Sequence, residues 1–322
     1  MTIRFAKGHG TQNDFVLIDD PDGELPVSAD AVAALCDRRR GLGADGLIRV
    51  VRTAALTDAS SYLAGAQAPE WFMDYRNADG SLAQMCGNGV RVFAAHLLNR
   101  GWIDLPDGES FSIGTRAGVK TVHRIKDWFG VDLGPWRLTG GEAALAAGSD
   151  TEVSVPMGPP GDEPVLLSGL PGLSANLGNP HVVVALPSLD QLEALDLTRH
   201  PGVDPLPEEG VNVEFIVPIH DATLDEGHLT MRVHERGVGE TRSCGTGAVG
   251  AVLAARAWAG GGITGQRPPS SWTVDVPGGR LRVELPDDAG LVAGESAVLI
   301  GPAVLVADGV LVDTQYLGLT PR

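Results

Sequence analysis

The apolar residues of this chain come mostly in short, strand-length runs separated by glycine-rich polar turns, and in two places they continue long enough for a buried helix. Residues 1 to 20 read as a strand, the polar turn KGHGTQND and a second strand. Residues 28 to 38 form an amphipathic pattern begun by Ser28, with Cys36 on its apolar side, and RRRGLGADGLIRVV reads as a basic helix end, a glycine turn and a strand. A strand and an Asn-Ala-Asp-Gly turn then lead into the first long helical run, QMCGNGVRVFAAHLLNR, which stops at Gly101. Beyond β-rich sequence, DLGPWRL joins a second half containing LGNPHVVVAL, VNVEFIVPI and LTMRVHE, and then the second long run, SCGTGAVGAVLAARAWA. Short alternating strands with Pro-Gly and Asp-Gly turns fill residues 272 to 322, the last of them expected to return to the first half. Residues 53 to 70 and 139 to 163 are expected to be loops.

Both long runs open with Cys-Gly-X-Gly, at Cys86 and at Cys244. A helix start offers main-chain N–H groups and the positive end of the helix dipole, which stabilise an anion; they favour a thiolate or hold a ligand carboxylate. Upstream, Asn13-Asp14-Phe15 and Asn179-Pro180-His181 each introduce an apolar run at a similar offset. The expectation is two copies of one α/β unit, each offering a Cys-Gly-X-Gly helix start. The first spans 1–129, completed by strands at about 300–322, and the second spans 130–299; their helix starts face a common cleft.

Composition narrows the partners. A net charge of −17 argues against nucleic acid and anionic membranes, which demand clustered Lys and Arg. No run approaches a membrane span, and the N-terminus lacks the apolar core of a signal peptide. Three cysteines in 322 residues are no disulfide framework, so a reducing cytoplasm is the expected location.

A pair of helix-start cysteines admits three chemistries: a redox couple, metal ligation, or an acid and a base on opposite faces of one carbon. Neither CxxC nor HxxxH spacing is present to favour the first two. The third explains the helix starts as well, because removing an α-proton from an amino acid loads negative charge onto its carboxylate. His181 and Glu235 are the helpers expected for the thiols, one per domain. The three lysines lie outside any phosphate-binding context, so pyridoxal phosphate is not expected; neither a metal nor another cofactor is.

Five ordered motifs, KGHGTQNDFVLID, NADGSLAQMCGNGVR, LGNPHVVV, GVNVEF and ERGVGETRSCGTGA, resemble those of the diaminopimelate epimerase family over nearly the whole chain. The resemblance implies two similar α/β domains, each a mixed sheet curled around a central helix, with the active site between them; it implies a cofactor-independent epimerase acting on LL-2,6-diaminopimelate, a small-molecule substrate, and is compatible with a homodimer. It implies Cys86 and Cys244 as the base and acid, His181 paired with Cys86 and Glu235 with Cys244. The α-carboxylate would rest on Gly87, Asn88, Gly245 and Thr246. Asn13, Asn77, Asn179, Asn212 and Arg236 would bind the rest of the substrate, and Glu235 its reacting ammonium. Arg91 and His96 keep a structural role. One departure concerns Gly46, where many relatives carry a substrate-contacting glutamine. Rival readings are a racemase of proline or histidine, against which Arg236 and the asparagines argue, and an amino-acid-binding protein, which would not need two thiols.

Overall fold

The computed structural model describes residues 2–63, 65, 67–159, 163, 165–219, 226–260, 268–312, 314, 318 and 319. Chain packing divides into two units, Met1–Asp132 with Gly301–Arg322, and Leu133–Ile300.

In the first unit the strands run in the spatial order Val304–Leu311, Ile3–Gly10, Asn13–Asp19, Gly46–Arg52, Trp71–Asn77, Ser110–Thr115, Gly118–Ile125 and Trp128–Asp132. Successive pairings are antiparallel, antiparallel, parallel, antiparallel, parallel, antiparallel and antiparallel. The second unit repeats that series without change through Thr151–Met157, Val165–Asn176, Pro180–Ala185, Asn212–Ile219, Gly227–Glu235, Ser271–Val276, Gly279–Glu284 and Val298–Gly301. The repeat inferred from two Cys-Gly-X-Gly segments therefore extends to the pairing of every strand in these series.

The two parallel pairings in each unit need crossover connections, because a tight turn cannot reverse the chain twice. The short helices Ala29–Cys36 and Leu189–Glu193 lie in the first crossovers; the long helices Gly87–Asn99 and Gly245–Gly260 lie in the second. Each long helix packs against six or seven strands of its own unit, which explains its composition. Val90, Val92, Phe93, Ala94 and Leu97 are buried on the first, and the second is buried nearly all round from Gly245 to Ala257. A helix apolar on every side must be enclosed, and small residues let strands approach it closely.

Three local expectations are corrected. The KGHGTQND segment is mostly strand: Ile3–Gly10 continues to a two-residue turn at Thr11 and Gln12, with φ of 49° and 65°. Both residues at positive φ make the turn whose twist suits a tight hairpin. The stretch 53 to 70 holds the short helix Ala59–Tyr62, and its Ala59 and Leu63 enter a core cluster with Val51 and Phe72; residues 64 and 66 lie outside the described residues. The stretch 139 to 163 contains the Ala-rich helix Gly141–Ala147 and the strand Thr151–Met157, whose alternating Val153 and Val155 are core; residues 160–162 lie outside the described residues.

Candidate active site

In the first unit, Cys86 is the residue before helix Gly87–Asn99, half-buried and in extended conformation. Its Sγ lies 3.5 Å from Asn13 Oδ1, which also accepts a hydrogen bond from Asn88 Nδ2 at 3.2 Å. The turn before the second strand thus brings Asn13 to the thiol. Asn13 is itself held from behind, because its Nδ2 donates to Asp45 Oδ2 at 2.8 Å. Asp45 and Asp14 share Arg38, and Lys7 pairs with Asp14 and donates to the Gly43 carbonyl. Arg38, exposed just past the helix end, therefore also belongs to this network.

The position of Gly46 now has a packing reason. A Cβ there would lie 2.6 Å from the Arg76 carbonyl oxygen and 2.6 Å from the Tyr75 ring, so no glutamine fits.

Burial acts to raise the Asp14 carboxyl, but hydrogen bonds from Arg38 and Lys7 overcome it and hold the group well below the usual carboxylate range. A depressed carboxyl stabilises the fold above the ordinary Asp pKa of about 4, and that contribution is lost as the pH falls below it. Urea midpoints at pH 7 and 3.5 should therefore differ less for Asp14→Asn than for the parent; equal acid sensitivity would remove Asp14 from the account.

Arg91, on the same helix, is more than structural filler. Fully buried, it donates to Asn88 Oδ1 at 2.9 Å, to Thr11 Oγ1 at 3.4 Å and to the Pro302 carbonyl at 3.3 Å. Burial pushes its pKa down to about 10, opposed by a thiolate charge at Cys86, so it remains a cation that favours that thiolate. Its position one turn past Asn88 was visible in the sequence, but only the fold reveals that its charge is fully buried. His96 does keep a structural role, with Nε2 2.7 Å from Asp19 Oδ1.

In the second unit, Cys244 precedes helix Gly245–Gly260 and is buried. Its Sγ accepts the Gly247 N–H at 3.3 Å and lies 3.5 Å from Thr246 Oγ1. Burial, followed by the charges of Glu235 and Glu214, pushes this thiol well above its ordinary pKa, which favours its protonated form at neutral pH. Glu235 acts on this thiol through its charge and accepts a short hydrogen bond from Thr241 Oγ1; burial raises its carboxyl too, which suits a proton acceptor. The two cysteines therefore stand in opposite electrostatic settings, one beside a buried cation and the other beside two carboxylates.

His181 lies on strand Pro180–Ala185, fully buried, with Nδ1 2.7 Å from Glu214 Oε1 and Nε2 3.1 Å from Asn179 Oδ1. The expectation of one helper per domain is overturned: His181 and Glu235 both belong to the second unit, close enough for the ring's charge to act on Glu235. Parallel pairing of His181 with Asn212 brings the two strands together in that register. Asn212 Oδ1 accepts the Arg236 N–H at 3.0 Å, and the exposed Arg236 guanidinium bonds to the Glu209 carbonyl. Asn179 Nδ2 reaches Thr246 Oγ1 at 3.3 Å, so Asn179, His181, Asn212, Glu235, Arg236, Cys244, Gly245 and Thr246 form one connected group. Asn77 is the exposed last residue of strand Trp71–Asn77, its Nδ2 donating to Ser81 Oγ.

Glu214 was missed. Its signal was a charged residue inside the mostly apolar segment VNVEFIVPI, on the face opposite Val213 and Phe215, which pack in a separate core cluster. Among the described residues, no group of three or more His, Cys, Asp or Glu side chains could hold a metal ion, and no helix is long and apolar enough to cross a membrane.

The family model for diaminopimelate epimerase matches residues 5–139 and 173–306. Diaminopimelate epimerase of Streptomyces coelicolor is 47% identical over 95% of this chain and 94% of its own length. That of Rhodococcus jostii is 45% identical over 98% and 99%. Among solved structures, a Bacillus anthracis protein of the PhzF phenazine biosynthesis family superposes with a TM-score of 0.62 at 16% identity, covering 97% of this chain and 99% of its own. A probable proline racemase from Agrobacterium radiobacter gives 0.57 at 13% identity, over 96% and 93%. At these identities the structures establish the fold.

Proposed function

The chain belongs to the diaminopimelate epimerase family, and from that premise we propose that it inverts one α-carbon of LL-2,6-diaminopimelate, giving the meso form, by proton transfer between the thiols Cys86 and Cys244. It is an isomerase of lysine and peptidoglycan biosynthesis. The observation that carries the thiol assignment is the opposite setting of the two cysteines. Cys86 sits near the buried Arg91 cation, and Cys244 sits against Glu214 and Glu235.

In this reading one thiolate removes the α-hydrogen as a proton while the opposite thiol delivers its own proton to the other face. A free thiol near pKa 8.5 is mostly protonated at neutral pH, so the base needs help. For Cys86 that help comes from Arg91 and from His181; for Cys244, when it acts in the reverse direction, it comes from Glu235. The helix starts at Gly87–Asn88 and Gly245–Thr246 receive the α-carboxylate, whose charge grows as the proton leaves. Asn13, Asn77, Asn179, Asn212 and Arg236 bind the rest of the substrate, Arg236 taking the distal carboxylate. We place the enzyme in the reducing cytoplasm, which its three free cysteines support, because an oxidised thiol cannot carry a proton.

Incubation with LL-diaminopimelate in deuterium oxide tests the reading. A thiol exchanges its proton with water, so early product should carry nearly complete deuterium at the inverted carbon while unreacted substrate gains little. Early product that keeps most of its original α-hydrogen, by mass spectrometry before equilibrium, would mean a single base and refute the paired thiols.

A further inference from the structure

Glu214 is a buried carboxylate beside Cys244 to which the two-thiol chemistry gives no proton-transfer role. It lies on strand Asn212–Ile219 and is fully buried, with Oε2 accepting no hydrogen bond among the described residues. A half-bonded buried carboxylate is costly, so the fold alone gives no reason to keep it. Its Oε1 meets His181 Nδ1 at 2.7 Å, and the other ring nitrogen of His181 faces the Asn179 side-chain oxygen at 3.1 Å. Two oxygen acceptors on one imidazole call for a proton on each nitrogen, which makes the ring a cation and Glu214 its counter-ion.

The helix is built around this pair. A Cβ at Gly247 would lie 2.6 Å from Glu214 Oε1 and 3.2 Å from the Cys244 Cβ, whereas one at Gly250, a turn further on, would make an ordinary 3.5 Å contact with His181. The second glycine of Cys-Gly-Thr-Gly therefore makes room for a carboxylate as well as exposing the helix start. From the elements packed around it, the His181 ring faces Glu214 and the charge of Glu235, with Asn179 bridging to Thr246 beside Cys244.

We propose that Glu214 is a positioning residue for the epimerase reaction: its carboxylate holds His181 as a doubly hydrogen-bonded imidazolium and fixes that ring against the Cys244 helix start. The proposal rests on the two-thiol reading for its effect on rate, but its structural half can be read without turnover. With Asn179 and Thr246 in the same chain of bonds, a loosened ring would also release a neighbour of the thiol.

Long-range proton–nitrogen spectra of the full chain should report both His181 nitrogens protonated at pH 7, and Glu214→Gln, an isostere that keeps the packing, should abolish that pattern. In the same variant kcat should fall about 10²-fold, as for a catalytic group misplaced by an ångström, with KM changed less than about threefold. Glu214→Asp, which restores the charge, should recover part of the loss. A neutral His181 ring in the parent, or a ring pattern unchanged in Glu214→Gln, overturns the proposal, and so does full kcat in that variant. Parent enzyme that fails the isotope test while His181 still depends on Glu214 would refute the two-thiol reading and leave the positioning of the ring in place.

Discussion

Alanine at Cys86 or at Cys244 is expected to abolish epimerisation while leaving the fold intact. A positioned acid or base contributes about 10² to 10⁴ in rate, so each variant should lose on the order of 10³-fold or more in kcat, in both directions of the reaction. The structural cost is small by comparison. Cys86 is half-buried and gives up a weak bond to Asn13, while Cys244 gives up an acceptor for the Gly247 N–H, leaving its helix and strands packed as before. Thermal melts should stay cooperative near the parent temperature. Activity within tenfold of the parent in either variant would end the two-base assignment.

The second large effect is expected at a residue that touches no substrate. Gly247→Ala adds one methyl group, on a helix where alanine is otherwise the preferred residue by about 1 kcal/mol. At this position the methyl would sit 2.6 Å from Glu214 Oε1 and 3.2 Å from both its carboxyl carbon and the Cys244 Cβ, inside van der Waals contact with all three. Either the carboxylate leaves His181 or the first helical turn shifts and carries Cys244 with it. Both moves displace a group of the site by about an ångström, so kcat should fall on the order of 10²-fold, against the direction that helix propensity alone predicts. Gly250→Ala is the control, since its Cβ would meet His181 at an ordinary 3.5 Å and should change kcat by less than about threefold. Equal activity in the two variants would show that the space at 247 is not reserved for the carboxylate.

The sequence by itself determined the features whose causes lie within a few residues of one another. Cysteine followed by Gly-X-Gly and an apolar run is a helix start wherever it occurs, so both thiols, their helices and the internal repeat could be read without coordinates. Ser28 as a cap and Cys36 as a buried, inert thiol, its pKa pushed up to about 11 by desolvation, followed from equally local patterns. Segments of weak pattern were misread for the same reason: in 139 to 163 the helix and strand are secured by the sheet they join more than by their own composition.

Only the tertiary structure decided which groups share a site. Glu214 stands beside His181 because two distant strands pair in parallel with His181 opposite Asn212, and a shift of one residue would have turned the carboxylate to the other face. Arg91 became a buried cation, and Asp45 the group that orients Asn13, through contacts across 32 or more residues of chain. Local sequence records the propensity to start a helix or a strand. Charge, burial and register are properties of what packs alongside, and those partners come from elsewhere in the chain.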